Sequence, residues 1–399
     1  MALHTEPAAP AAAARRWLLG MTSDMQRLVV PAFVISRVLL LVGALVAVRL
    51  FPLHPGDGPW PGSPTTAWIA ALSRWDGKWY LAIARDGYAY HESAASSINF
   101  APAYPALMRL VGQAVGRTDN DGLLGIGILL SNGALLVALV LLYFVARRIE
   151  DEGVARRAAL WLVCFPSTLY LSAVYPESLF LALTLAAYLL SLEGRWALAA
   201  LVAAPAVLTR NYGALVLVPL AWEYLAQHRW RPSRDLAWFL VVPAVFVAWQ
   251  GYLWALTGDP LAMPHASEQW GRRLTPPWEM LRYYLSLKYW TAYVGSGGAL
   301  ADDRNPIDLS ATLSLGVLVL LSWRLRRRSL AVLASALYLP AIATGGFIAV
   351  PRYALEVFPI FLVLARLTRD VRVLVPLLAA SAGLAVAAMA WFALGGWLA

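Results

Sequence analysis

Long apolar runs recur from one end of this 399-residue chain to the other, separated by polar turns rich in arginine. The pattern predicts an all-α integral membrane protein with about 11 spanning helices. The runs lie near 29–51, 123–146, 158–175, 178–193, 195–209, 212–226, 236–256, 309–324, 329–349, 353–367 and 372–395. Several fall short of the roughly 20 residues of a straight crossing, so either boundaries are displaced or neighbouring helices shield them. Two intervening stretches, 52–122 and 257–308, are much longer than the others. None is long enough for a separate soluble domain. The expected organisation is a tail over 1–28 and one membrane domain over 29–399. The opening "MALHTEPAAPAAAARRW" has no apolar core after its charges and reads as a disordered cytoplasmic tail, not a signal peptide.

Composition agrees with the pattern. The chain is 60% hydrophobic and 14% charged, where a soluble protein carries roughly 25% charge. Its one cysteine, Cys164, lies inside an apolar run, which excludes a disulfide framework and a cysteine metal site. A net charge of +9 would suggest nucleic acid in a soluble protein; here it has a simpler source in arginines of the expected cytoplasmic loops.

The arginines also orient the chain. With the N-terminus cytoplasmic, one side collects Arg15, Arg16, Arg27, Arg147, Arg148, Arg156, Arg157, Arg195, Arg229, Arg231, Arg234, Arg324, Arg326, Arg327, Arg328, Arg366, Arg369 and Arg372. The short loops of the other side hold only Arg210 and Arg352. "NFAPAYPALMRLVGQAVG", 99–116, is apolar but brief and holds two prolines. Counting it as a crossing would reverse every later charge cluster, so it reads as a re-entrant or interfacial piece of the first exterior loop.

This orientation gathers the unusual polar residues on the exterior face. Asp76 lies in "SRWDGKWYLAIARDGY", Glu177 in the turn "VYPES", Arg210 in "LTRNYG" and Arg352 in "VPRYALEVFP". The second long loop adds "MPHASEQWGRRLTPPW", with His265, Glu268, Trp270, Arg272 and Arg273. The expectation is an exterior polar cavity between helix ends, roofed by the two long loops. Asp76 reads either as a solvated charge or as a partly desolvated general base on an interfacial helix, with Trp75, Trp79 and Tyr80 in the aromatic belt. Asp86 ranks second. Arg210 and Arg352 are interfacial arginines or a phosphate clamp, with Lys78 as an added point charge. Glu177 could equally cap the following helix. Arg37, inside the first run, either braces the bundle or touches a lipid phosphate. His265 and Glu268 lack further ligands nearby, so no metal site is expected. The phosphate-binding loop GxxxxGK[ST] and the HExxH and GxSxG signatures are absent.

Taken in order, these motifs resemble the PIG-V-type mannosyltransferases, specifically a prokaryotic member of the GT-C class of polytopic glycosyltransferases. "SRWDGKWYLAIARDGY" is similar to the family's first-loop acidic motif and "NFAPAYPALMRL" to its F.PLYP segment. "VYPESLF" resembles its Y.ESLF helix start, "LTRNYG" its TR..G turn, "QWGRRLTPPW" its later exterior loop, and "VPRYALEVFP" its terminal arginine element. The first-loop motif shows one clear acidic residue, Asp76, and no DD or DE pair that would imply two carboxylates, and "APAYP" replaces a bulkier PLYP. The resemblance implies a multi-pass protein of the plasma membrane whose site faces the extracytoplasmic side. It would move mannose from a polyprenyl-phosphate carrier to a glycolipid or glycan hydroxyl, with inversion. Asp76 would be the general base, and Arg210, Arg352 and Lys78 would bind the donor phosphate. Trp75, Trp79, Tyr80, Tyr175, Glu177, Asn211, His265, Glu268, Trp270 and Tyr353 would contact substrate. The expected partners are membrane lipids, donor and acceptor, with no cofactor and no nucleic acid. The competing reading is a lipid or glycolipid flippase or transporter with a similar exterior cavity.

Overall fold

The computed structural model describes residues 25–53, 63–91, 95–295, 306–347 and 349–397. The expected tail over 1–28 lies almost wholly outside them. Among the described residues the chain is helical throughout, with no strand. Among the described residues four helices have the length and apolar character to cross a membrane: Arg27–Leu50, Asn120–Ile149, Arg234–Thr257 and Val371–Ala393. Shorter apolar helices run over Glu177–Leu192, Trp196–Val207, Pro306–Ser322 and Arg328–Ile342.

Local chemistry sets the ends of the longest helix. Asp119 caps Asn120–Ile149 by accepting from Gly122 N at 2.9 Å, and Arg147 and Arg148 occupy the last turn, where the helix dipole favours cations. Its 30 residues span about 45 Å. Val371–Ala393 starts in the same way, on Asp370. The Asn120–Ile149 helix packs along Glu177–Leu192 and Glu152–Cys164, while Val371–Ala393 lies against Val30–Leu50.

Two of the expected runs are each broken in two. The 158–175 run becomes the end of Glu152–Cys164 followed by a 3-10 turn, Thr168–Leu171. Pro166 supplies no N–H, and it pushes Phe165 into extended backbone (φ −62°, ψ 141°). The 353–367 run begins with Val350–Tyr353 and resumes as Pro359–Leu367. Segment 99–116 forms the 13-residue helix Ala103–Val115, about 20 Å long and too short to cross. It buries Tyr104, Pro105 and Met108 and packs against Gly77–Asp86 and Asn120–Ile149.

The broken helix explains Arg37. Its Nη1 donates to Thr168 O (3.2 Å) and Ser172 Oγ (2.8 Å), and its Nη2 to Val163 O (3.1 Å) and Thr168 Oγ1 (3.0 Å). Val163 O is near the end of a helix, where carbonyls lose their helical partners. Arg37 is therefore a brace.

The turns assigned to the cytoplasmic side also come together. Glu150 lies 3.6 Å from Arg326 and 3.7 Å from Arg366, and Glu223 pairs with Arg327 at 2.8 Å while accepting from Ser329 Oγ.

Candidate active site

Asp76 immediately precedes the helix Gly77–Asp86 and does not cap it with its side chain. The carboxylate is instead turned to Arg352, whose Nη1 donates to Asp76 Oδ2 at 2.5 Å. Two contacts fix the backbone here. Tyr175 OH accepts from Asp76 N and donates to Arg74 O, both at 3.2 Å. Trp75 adopts φ +56°, uncommon for a residue with a large side chain. It is held there by its Nε1 bond to Gly396 O (3.2 Å) and an edge-on contact with Trp397. Ala349, shortly before Arg352, is likewise left-handed at φ +65°. Strained residues of this kind persist where surroundings over-determine them.

Arg352 continues inward. Its Nε donates to Glu177 Oε1, and its guanidinium lies over the Tyr175 ring at 4.6 Å. Glu177 sits in the first turn of Glu177–Leu192, where an acidic residue suits the helix dipole, but its side chain makes no cap hydrogen bond and is turned to the arginines instead. The same Oε1 accepts from Arg210 Nη1 at 3.0 Å. Arg210 also donates to Tyr212 OH through Nε (3.0 Å) and Nη2 (2.8 Å), and Tyr212 OH donates to Glu356 Oε2. Arg210 Nε lies 2.9 Å from Glu356 Oε1, an ion pair without a hydrogen bond to that oxygen. The result is a continuous chain, Asp76–Arg352–Glu177–Arg210–Tyr212–Glu356. Three carboxylates face two guanidiniums. Side-chain exposure is 15% at Asp76 and 5% or 8% at the arginines, but 0% at Glu177 and 1% at Glu356.

Asp76 and the exposed ends of the two arginines open onto a cavity of about 660 Å³. Its wall is drawn from the first loop, the 209–212 turn, the second loop, the end of Arg328–Ile342, Arg352–Tyr353 and Trp397. The expected convergence of both long loops on one cavity is therefore what the chain does. Trp79 stacks on Phe100 at 5.6 Å, and Trp270 meets both rings edge-on. Beside them, Asn99 accepts from Ser267 Oγ (2.8 Å) and through its carbonyl from Asn211 Nδ2 (2.9 Å).

The other expected residues separate by position. Trp75, Lys78, Tyr80, Asn211, Glu268, Trp270 and Tyr353 line the cavity, whereas Tyr175 and Glu177 lie behind its wall. His265 is outside the lining and 54% exposed; its Nδ1 is 2.6 Å from Asp259 Oδ2, a contact that holds the Asp259 carboxyl below the usual range. Asp86 is exposed, and hydrogen bonds from Arg85 likewise keep its carboxyl low. Sequence reasoning passed over Tyr212, Asn99, Ser267 and Glu356. Glu356 carried a usable signal, since it is a carboxylate inside a run otherwise read as a span.

Comparison with known proteins returns the same resemblance. Residues 63–236 match the family described as Mannosyltransferase (PIG-V). The expected family is the matched one. GPI mannosyltransferase 2 of Drosophila melanogaster is 30% identical over 163 residues, covering 36% of this chain and 35% of the relative. The Chaetomium globosum protein of that name is 33% identical over 143 residues, covering 33% and 30%. The aligned region thus spans about a third of the curated relatives. Among solved structures, ArnT from Cupriavidus metallidurans bound to undecaprenyl phosphate aligns with a TM-score of 0.48 at 16% identity, covering 84% of this chain and 59% of that one. The Archaeoglobus fulgidus oligosaccharyltransferase in the apo form aligns at 0.47 and 14%, covering 89% and 56%. At those scores the structural likeness carries no argument about the site.

Proposed function

We propose that this chain is a GT-C-type mannosyltransferase of the plasma membrane, working on the extracytoplasmic side. Its donor is a polyprenyl-phosphate-linked mannose, and its acceptor is a hydroxyl of a glycolipid or glycan. The observation that carries the reading is Asp76: the acidic residue of the family-like motif sits at the cavity wall, locked by Arg352. In the reaction the acceptor oxygen forms a bond to the anomeric carbon as the bond from that carbon to the carrier phosphate breaks. Asp76 takes the hydroxyl proton, the phosphate leaves with the bonding electrons, and attack from the opposite face inverts the carbon. Arg352 presents the carboxylate in one orientation, and such positioning is where a bound geometry contributes most. The aromatic wall of Trp79, Phe100 and Trp270, with Asn99, Asn211 and Ser267 beside it, offers the flat apolar and polar faces that a sugar ring requires.

The reading is tested with purified protein, a polyprenyl-phosphate mannose labelled in the sugar, and a panel of glycolipid acceptors. A new mannosidic bond of inverted configuration, formed at an unchanged rate in EDTA, is the expected outcome. Movement of labelled lipid across a vesicle bilayer with no new bond would instead establish the transporter reading.

A further inference from the structure

The cavity carries Lys78 and two pairs of arginines of different kinds. Arg210 and Arg352 spend their donors on Glu177, Asp76 and Tyr212 and are nearly buried. An anion approaching them meets three carboxylates. Arg272 and Arg273, in the second loop, line the same cavity. Among the described residues neither forms an ion pair, not even with Glu268 on the same wall; Arg272 Nη1 donates only to Tyr353 OH, at 2.7 Å. Their loop is docked on the protein, since Thr275 N donates to Ala343 O at 2.9 Å.

Several apolar residues that follow are uncovered, although exposed Glu279 and Arg282 lie among them and Met280 and Tyr284 are buried. Leu274, itself on the cavity wall, is 93% exposed; Trp278, Leu285 and Leu287 are 61%, 71% and 78% exposed. Water is a poor partner for four exposed large apolar side chains in one short stretch, while the acyl boundary of a membrane is a good one. Guanidinium forks beside it match phosphate oxygens.

We infer that a lipid-linked phosphate seats on Arg272 and Arg273 with its apolar chain laid over Leu274 and Trp278, and that Arg210 and Arg352 position Asp76 and do not hold the phosphate. The inference rests on the transferase reading and sharpens it: the second loop, not the buried arginines, is the donor's point of entry.

The test measures binding to the full chain in lipid nanodiscs, using a polyprenyl phosphate, the polyprenol of equal length, and inorganic phosphate. Wild type should prefer the polyprenyl phosphate over the polyprenol. Arg272→Gln with Arg273→Gln should cut that preference by roughly tenfold or more, and Arg273→Gln alone, at an exposed position, should cut it in part. Leu274→Ser with Trp278→Ala should weaken both lipids equally. Arg117→Gln, on the other long loop, should change nothing. Undiminished preference in the arginine variants, with unchanged thermal unfolding, would place the seat elsewhere and leave the transferase reading standing. Inorganic phosphate competing as well as the lipid would overturn the lipid component. A wild type with no preference for the phosphate would overturn both the seat and the carrier reading.

Discussion

Arg352 joins two carboxylates from segments far apart in sequence, so its role is more than supplying a charge. Replacing it with glutamine leaves Glu177 buried and short of a partner, which should cost about 3–5 kcal/mol of stability. Lysine should not restore it, because a single ammonium cannot reproduce the fork that serves Asp76 and Glu177 together. Thermal unfolding of Arg352→Gln and Arg352→Lys against wild type checks both statements; a Lys variant as stable as wild type would contradict the geometry. At this scale the sequence was informative about residue type and silent about pairing. Asp76, Arg210 and Arg352 stood out as charges in an apolar chain. Nothing in a linear pattern shows that Asp76 and Arg352, 276 positions apart, share a hydrogen bond, and an arginine already matched by carboxylates looks the same as one awaiting phosphate.

The turn that carries Arg210 and Tyr212 depends on Gly213. A Cβ built there would lie 2.1 Å from Ala206 O, a backbone atom that cannot swing aside. Gly213→Ala should therefore displace the turn, destabilising the protein by about 1–3 kcal/mol and lowering activity more than a distant substitution of equal stability cost. The glycine of "LTRNYG" is in this sense part of the site. Arg37 makes a matching case among the helices. Arg37→Leu strips the bonds that hold the Thr168–Leu171 turn to Val30–Leu50, and it should lower the unfolding temperature while leaving the KM for donor unchanged. A raised KM with normal stability would move Arg37 from brace to ligand contact. Helix existence was legible from the apolar runs, and the breaks were not. The runs over 158–175 and 353–367 kept their apolar character through the breaks at Pro166 and Pro359, so hydropathy alone merged separate pieces.

Across the whole molecule, charge separates the two ends of the bundle. One end gathers the Glu150 and Glu223 networks with their arginines, and the other gathers the cavity. In a Cys164→Ala background, cysteines at the exposed positions 117 and 274 should react with an impermeant thiol reagent on intact cells. Cysteines at exposed 229 and 324 should react only after permeabilisation. Labelling of 117 and 274 only after permeabilisation would reverse the orientation and put the cavity on the cytoplasmic face. The arginine bias made the grouping of these turns at opposite ends readable in advance, because it depends on counts per loop and not on contacts; which end faces the cytoplasm is what the labelling decides. The shape of the cavity was not readable, since it is made where six separate segments happen to meet.

The central claim is that Asp76 accepts the proton of the attacking hydroxyl. Mannosyl transfer under saturating donor and acceptor, compared between wild type and Asp76→Asn, tests it most directly, with Asp86→Asn as the exposed control. The account predicts a loss of roughly 10²–10⁴-fold in rate for Asp76→Asn, with donor binding retained and Asp86→Asn close to wild type. An Asp76→Asn enzyme that transfers mannose at a near wild-type rate would contradict it.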